Sequence, residues 1–248
     1  MIPKILDTMS KDFVLGLANA IAIDVKWKSE FECINTTSEK FNDKINVEMM
    51  HKLYSSNAKY FENDKSKGII IPYKDNLEFV GILPNTDVNT YINNLDMDTL
   101  NNIDKDVTNA TDKKRINLSL PRFSYSFDLK EFKDVLISMG IKDAFSDSNA
   151  DFTNIINKDN MIKSDIKNLY VGEAIHKSYI DLNEKGTKAA AVTYFGMFKA
   201  TAMLEEYETI DIAFNKPFVY MIRDTDTKEI LFFGTVYEPN IWKGSTCE

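Results

Sequence analysis

The sequence predicts an α+β fold in which strands outnumber helices. Residues 13–24 form an almost uninterrupted apolar run, which is typical of a strand buried on both faces. Two further strand-like runs flank Lys74-Asp75-Asn76, a combination that predicts a hairpin. Residues 129–139, in contrast, carry apolar side chains at helical spacing, and Gly140 follows as a C-terminal stop. Both periodicities occur in one chain, as an α+β fold requires.

The other elements follow in chain order from the same local patterns. They are a helix end at 5–9, strands at 69–73 and 77–83, short helices at 88–95 and 97–103, a strand at 117–120, and a last strand pair at 219–222 and 230–236. The helix at 129–139 is expected to bury one apolar stripe, formed by Leu129, Phe132, Val135, Leu136 and Met139. No internal repeat and no linker divides the sequence.

Composition places the chain among globular proteins and excludes several kinds of partner. With 248 residues, 44% of them hydrophobic and 12% aromatic, the chain can form one large ordered domain. Its net charge of −8 gives no basic surface of the kind that binds nucleic acid. The longest apolar run, at 13–23, is interrupted by Asn19 and is too short to span a bilayer, and no signal peptide follows Met1. We therefore expect neither a nucleic-acid nor a membrane partner.

The motif content argues against an enzyme. The chain has two histidines, His51 and His176, and it contains no nucleophile elbow, zinc-protease motif, phosphate-binding loop or dinucleotide fingerprint. No catalytic residue, cofactor or metal site is predicted.

The most informative stretch is residues 173–195. It alternates like a strand, breaks at Asn183-Glu184-Lys185-Gly186, and continues into small residues. Small side chains at every second position can join a packed sheet without a clash, and here those positions are Thr187, Ala189, Ala191 and Thr193. A surface helix is the alternative for an alanine-rich run. The β-branched and aromatic residues at 192–195 favour the strand.

This stretch resembles the hinge of a serpin reactive-centre loop. Three further blocks resemble the same family and occur in the family's order: residues 12–31 with LANAIAID and WKSEF, residues 128–149, and residues 214–234. The resemblance implies a serpin fold, with a mixed central sheet, smaller sheets, helices and an exposed reactive-centre loop. It also implies a partial serpin domain at 1–243 that lacks the family's amino-terminal helical region, followed by a polar tail at 244–248.

By this resemblance the hinge comprises Glu184, Gly186, Thr187, Ala189, Ala190, Ala191 and Thr193. Lys188 has the opposite phase, where its charge can stay in solvent. Counting from the hinge places the scissile bond between Lys199 and Ala200, whereas counting back from Phe214 places it near Glu206. We favour Lys199-Ala200, which offers a trypsin-like target. Phe198, Met203 or Leu204 would suit a chymotrypsin-like or elastase-like protease instead.

Four residues are candidates for contacts that control sheet opening. The resemblance implies a hydrogen bond between Asn19 and His176 on neighbouring strands, and a buried asparagine needs a polar partner in any case. It places Trp27 beneath the point where insertion begins, although a buried tryptophan is by default a core residue. It also places Arg122 opposite Glu184. As solvated charges these two side chains would contribute little to stability.

The function implied by the resemblance is inhibition by a suicide-substrate mechanism. The target is a serine protease, with a cysteine protease as the second class, and loop cleavage is followed by insertion into the central sheet. The 248-residue chain alone is expected to be inactive and to self-associate. The alternatives are a non-inhibitory serpin-like binding protein and a decayed fragment. The resemblance also implies an extracellular location, while the chain itself shows no signal peptide.

Overall fold

The computed structural model describes residues 15–105, 107–155, 168–187 and 207–239. The chain divides into two compact units. Unit 1 comprises Met1–Ile23 and Tyr125–Ile180, and unit 2 comprises Asp24–Ser124 and Asp181–Glu248. The predicted helix end at 5–9 lies outside the described residues.

The described strands and helices support the α+β prediction. The strands are β1 Gly16–Ala22, β2 Val25–Lys26, β3 Thr36–Phe41, β4 Ile45–Tyr54, β5 Lys59–Glu62, β6 Ser66–Pro72, β7 Leu77–Pro84, β8 Val107–Asn109, β9 Lys114–Pro121, β10 Phe123–Leu129, β11 Glu173–Asn183, β12 Gly186–Thr187, β13 Glu208–Ala213, β14 Phe218–Asp224 and β15 Ile230–Val236. The helices are α1 Val88–Asn93, α2 Met97–Asn102 and α3 Phe132–Ser138. The predicted β6–β7 hairpin, the helices α1 and α2 and the β14–β15 pair are confirmed.

Unit 1 is built around the pairing of β1 with β11. These strands run parallel, from Gly16 opposite Glu173 to Ala22 opposite Tyr179. A small core of Phe145, Val171 and Ala174 packs against side chains of α3, among them Phe132 and Leu136. Gly140 ends this helix with a φ of 104°, a conformation that favours glycine.

Two details of unit 1 differ from the sequence-based predictions. The strand predicted as buried on both faces is exposed along most of β1, and β11 is the strand that pairs with it among the described residues. Helix α3 begins at Phe132, since Leu129 is the last residue of β10. Its predicted stripe is only partly packed, because Met139 is 74% exposed.

The exposure of β1 leads to a testable expectation about association. Leu17 is 44% exposed on a strand whose partner, within the described part of the chain, is β11 alone. An apolar strand with open faces pairs readily with another chain. We therefore expect the 248-residue chain to form concentration-dependent oligomers in sedimentation velocity. Replacing Leu17 and Ala20 by lysine should reduce this association, and a chain that stays monomeric at every concentration would contradict the expectation.

Unit 2 contains two larger sheets. The four-stranded sheet has the order β13-β9-β4-β3, and the six-stranded sheet has the order β15-β14-β7-β6-β5-β8. Helix α1 packs Val88 and Tyr91 into an apolar cluster with side chains of the six-stranded sheet, such as Val80 and Met221. Asp87 and Asp96 cap α1 and α2, and hydrogen bonds from Thr90 and Thr99 lower the pKa values of these two carboxyls.

Candidate functional site

The first described residues of the segment predicted as a hinge form a short strand in unit 2, β12. After β11 ends at Asn183, the chain turns and returns as β12, with Leu182 opposite Thr187 and Asn183 opposite Gly186. On its other side β12 pairs antiparallel with β2, with Gly186 opposite Lys26 and Thr187 opposite Val25. Gly186 and Thr187, which make up β12, thus lie between β11 and β2.

Gly186 occupies a position that only glycine can take without strain. Its φ is 146°, and a Cβ added there would lie 2.1 Å from the carbonyl oxygen of Val25. Because that oxygen belongs to the backbone of β2, it cannot move aside as a flexible side chain would. The close approach of β12 to β2 therefore depends on the missing side chain.

We expect Gly186→Val to disrupt the pairing of β12 with β2. The added side chain would clash with the Val25 carbonyl and would force a β-branched residue into a positive φ, at a cost of about 1–3 kcal/mol or more. Hydrogen exchange of the Trp27 amide, which donates to the carbonyl oxygen of Lys185 beside this pairing, should accelerate in this variant. A Gly140→Val variant is the matched control, since Gly140 also has a positive φ but has no atom within 4 Å of an added Cβ. Unchanged protection of the Trp27 amide in Gly186→Val would contradict the assignment.

Thr187 points into the core of unit 2. The residue is completely buried, and its Oγ1 lies 2.8 Å from the hydroxyl oxygen of Tyr73. Burial raises the pKa of Tyr73, so this phenol stays neutral and can share a hydrogen bond with the threonine. The hydroxyl of Thr187 is therefore satisfied without water.

Trp27 holds both ends of the turn that precedes β12. Its indole Nε1 donates to the carbonyl oxygen of Asn183 at 2.8 Å, and its backbone N–H donates to the carbonyl oxygen of Lys185 at 3.0 Å. The indole is fully buried and stacks on Tyr73, with 4.4 Å between ring centroids. Trp27 is thus a core residue whose side chain and backbone both bond the turn before β12, and its position beneath the start of insertion stays a prediction.

Arg122 and Glu184 form a buried ion pair rather than a pair of solvated charges. Their exposed fractions are 2% and 6%, and Arg122 Nε lies 2.7 Å from both carboxylate oxygens of Glu184. Arg122 Nη2 also bonds Glu184 Oε1, and Nη1 donates to Glu48 Oε2 at 3.0 Å. A bidentate pair of this kind fixes the turn before β12 relative to Arg122, the residue between β9 and β10.

Further contacts hold Glu184 that the sequence did not indicate. Thr36 donates its hydroxyl to Glu184 Oε1 at 2.5 Å, and the N–H of Phe31 donates to the Glu184 carbonyl at 2.8 Å. Thr36, Glu48 and Tyr73 were therefore missed as members of the site. Each is brought to the hinge by long-range pairing, and no local pattern in the sequence could have identified them.

Asn19 and His176 lie side by side in unit 1. They are directly opposite each other in the β1–β11 register. The His176 ring packs against Phe132 of α3, with 5.4 Å between centroids, and Asn19 is exposed. No hydrogen bond joins these two side chains in the described part of unit 1. The strand register thus places the two residues opposite each other, but the His176 ring contacts Phe132 and the Asn19 side chain is exposed.

The remaining predicted positions cannot be placed. Ala189, Ala190, Ala191, Thr193, Lys199 and Ala200 lie outside the described residues. Within the described ranges, no cluster of three or more histidine, cysteine or acidic residues could hold a metal ion. None of the helices α1, α2 and α3 is long and apolar enough to cross a membrane.

Comparisons with known proteins agree on one family. A family model described as serpin (serine protease inhibitor) matches residues 1–239. The chain is 30% identical to Serpin B13 of Homo sapiens, over 94% of this chain and 57% of that protein. It is also 30% identical to the leukocyte elastase inhibitor of Xenopus laevis, over 96% of this chain and 62% of that protein. The native crystal structure of the thermophilic serpin tengpin matches with a TM-score of 0.75 and 32% identity, over 96% of this chain and 59% of that chain.

Proposed function

The chain belongs to the serpin family, and from that premise we propose that its protein inhibits a serine protease as a suicide substrate. The chain spans 57% of Serpin B13 and 62% of the leukocyte elastase inhibitor. The activity is therefore proposed for the protein translated from the whole reading frame that contains these residues. A cysteine protease is the second target class.

The observation that carries this proposal is the position of β12. Gly186 and Thr187 pair with β11 on one side and with β2 on the other. Earlier along β11, its residues Glu173 to Tyr179 pair directly with β1, without a strand between them. A cleaved loop could therefore lengthen β12 residue by residue, provided that the β1–β11 pairs separate ahead of it. The small side chains of Ala189, Ala191 and Thr193 suit the inward positions of such a strand.

In the proposed reaction the protease serine attacks the scissile carbonyl of the loop. An ester forms between protease and loop, and the amine of the next residue leaves. Before water hydrolyses the ester, the cut loop inserts and carries the protease away from the hinge. About a dozen new backbone hydrogen bonds, each contributing ~0.5–1.5 kcal/mol net, would supply on the order of 10 kcal/mol. The inhibitor contributes no catalytic group.

The buried contacts of the hinge determine where insertion starts. Arg122 and Trp27 hold Glu184 and Lys185, the two turn residues before β12. In this proposal the anchor keeps Gly186 and Thr187 in register with β2 and β11. The proposed roles of Trp27, Arg122 and Glu184 are therefore positional.

The proposed scissile bond joins Lys199 to Ala200, which favours a trypsin-like protease because lysine fits an acidic specificity pocket. Mass spectrometry of protein treated with a trypsin-like and a chymotrypsin-like protease tests this choice. Cleavage confined to the bonds after Met203 or Leu204 would move the scissile bond.

The decisive test is the trapping of a protease. Protein from the whole reading frame is incubated with trypsin and the products are separated after boiling in detergent. We expect a band at the combined mass of the protease and the cleaved inhibitor. Cleavage without such a band, in a protein that melts cooperatively, would favour a non-inhibitory binding protein. A protein without a cooperative melt would favour a decayed product.

A further inference from the structure

A serine, a histidine and a glutamate are hydrogen-bonded in series on the four-stranded sheet of unit 2. Ser119 of β9 lies directly opposite His51 of β4, and its Oγ is 3.0 Å from Nδ1 of the histidine ring. The other ring nitrogen, Nε2, is 2.7 Å from Oε1 of Glu39 in β3. Because the three residues come from three different strands, no local motif in the sequence could have marked them.

The contact with Glu39 determines which nitrogen of the histidine ring carries the proton. An ionised carboxylate can only accept a hydrogen bond, so Nε2 of His51 must donate to it. In the neutral ring Nδ1 is then an acceptor, and the Ser119 hydroxyl donates to it. Thr37 supports this order, since its hydroxyl donates to Glu39 Oε1 at 2.9 Å and lies 3.1 Å from His51 Nε2. The serine proton therefore already points at a base.

This order of groups is the one that activates a serine for nucleophilic attack. A serine hydroxyl is a weak nucleophile, and an adjacent general base that is oriented by a third group makes it a stronger one. His51 is in the position of the base. Glu39 orients the ring and would stabilise the imidazolium that forms when the base takes the proton.

The serine lies on a face of the sheet that a small molecule can reach. Leu118, the neighbour of Ser119 in β9, is fully buried, so Ser119 is on the outer face of its strand. The side chains of His51 and Glu39 are 30% and 42% exposed, and Ser119 is half-buried. Leu53 shares the face of β4 that carries His51 and is 46% exposed. It offers an apolar surface for a ring or a short acyl chain beside the nucleophile.

We propose that Ser119 is an activated nucleophile that reacts with small aryl esters of short carboxylic acids. Its Oγ attacks the ester carbonyl while the hydroxyl proton passes to His51 Nδ1. The bond to the aryloxide then breaks, the aryloxide takes the proton from the imidazolium, and the acyl group stays on Ser119. Water hydrolyses this acyl-serine to the free acid, with His51 again accepting a proton. The activity is independent of the protease inhibition proposed above.

The rate that this arrangement supplies is modest. A positioned general base contributes about 10²–10⁴-fold, and the proposal assigns no other source of acceleration. In dedicated esterases, donors aimed at the oxyanion add about 10²–10³-fold each. The acyl-serine should therefore form slowly and persist long enough to be detected by mass spectrometry.

Acetylation by p-nitrophenyl acetate tests the proposal. Protein from the whole reading frame is treated with this ester, and trypsin then releases residues 116–122, a peptide in which Ser119 has the only side-chain hydroxyl and which contains no lysine. We expect this peptide to gain one acetyl group in step with the release of p-nitrophenolate. His51→Gln should slow the acetylation of Ser119 by about 10²-fold or more, because the base is lost. Ser119→Ala should abolish the labelling of the peptide.

Two further variants separate activation from a general effect of substitution. Ser38 is an exposed serine of β3 on the opposite side of the strand from Glu39, and Ser38→Ala should leave the labelling of residues 116–122 unchanged. Glu39→Gln removes the charge that stabilises the imidazolium but keeps the base, so it should slow acetylation by less than His51→Gln does. The melting temperature of each variant is measured, so that labelling rates are compared between folded proteins.

Two results would overturn the proposal. The first is acetylation of lysine amines in the natural protein while residues 116–122 stay unmodified, a result that needs no variant. The second is acetylation of Ser119 at the same rate in His51→Gln and in the natural sequence, because the serine would then react without its base.

Discussion

Replacing Thr187 by arginine is expected to abolish protease trapping and to leave a protein that the protease merely cuts. Thr187 is completely buried between β11 and β2, and its hydroxyl bonds Tyr73. An arginine there would place an unpaired charge in the core, at a cost of several kcal/mol even after relaxation. The hinge of the variant should therefore leave the sheet, and hydrolysis of the ester should precede insertion.

Stoichiometry of inhibition is the measurement for this variant. The natural protein should trap the protease at a low molar ratio, whereas Thr187→Arg should be consumed without residual inhibition. Thr187→Ser keeps both the small size and the hydroxyl, and serves as the matched control with near-natural trapping. Should Thr187→Arg trap protease with unchanged stoichiometry, the hinge assignment would be wrong.

The second large effect is expected at the buried ion pair. Glu184→Ala leaves the guanidinium of Arg122, which is 2% exposed, without its bidentate partner. Breaking a buried pair by removing one member costs about 3–5 kcal/mol, because an uncompensated charge remains. The free energy of unfolding should fall by this amount in denaturant titrations. Glu48 still contacts Arg122 and is 30% exposed, which places the expected loss toward the lower end of the range.

A double variant checks that the loss comes from breaking the Arg122–Glu184 charge pair. Arg122→Met combined with Glu184→Leu removes both charges and should be less destabilising than Glu184→Ala alone. If the double variant lost more stability than Glu184→Ala, the cost would lie in packing rather than in charge.

Elements with strong local patterns could be predicted from the sequence. The β6–β7 and β14–β15 pairs each combine two apolar runs with a short polar turn, and Gly140 ends α3 by its own backbone freedom. The break after Asn183 was likewise visible in the sequence, because glycine and small residues follow an alternating strand. Such features depend on residues close together in the chain.

Features that depend on distant partners could not be predicted from periodicity. The apolar run that contains β1 shows that this strand tolerates burial, but it does not show whether another layer covers it. The β3–β4 pair was not predicted: β3 carries mostly polar residues, although Ile45 to Met49 of β4 alternate apolar with polar side chains. The burial of Arg122 could not be predicted from its neighbours in the sequence. Its acceptors Glu48 and Glu184 are 74 and 62 positions away.

The pairing of β12 on both sides has a kinetic consequence. Starting a new strand normally costs conformational entropy, because chain segments must be brought together and ordered before hydrogen bonds form between them. Here Gly186 and Thr187 already form both ladders, so the growth of β12 is propagation from an existing nucleus. In the proposed insertion, the first two added residues would lie opposite positions 23–24 and 180–181, beyond the end of the β1–β11 ladder. Each later residue would separate one β1–β11 pair and form two new pairs. The rate of insertion should then depend on how fast that ladder, from Ala22–Tyr179 to Gly16–Glu173, unzips ahead of the growing strand.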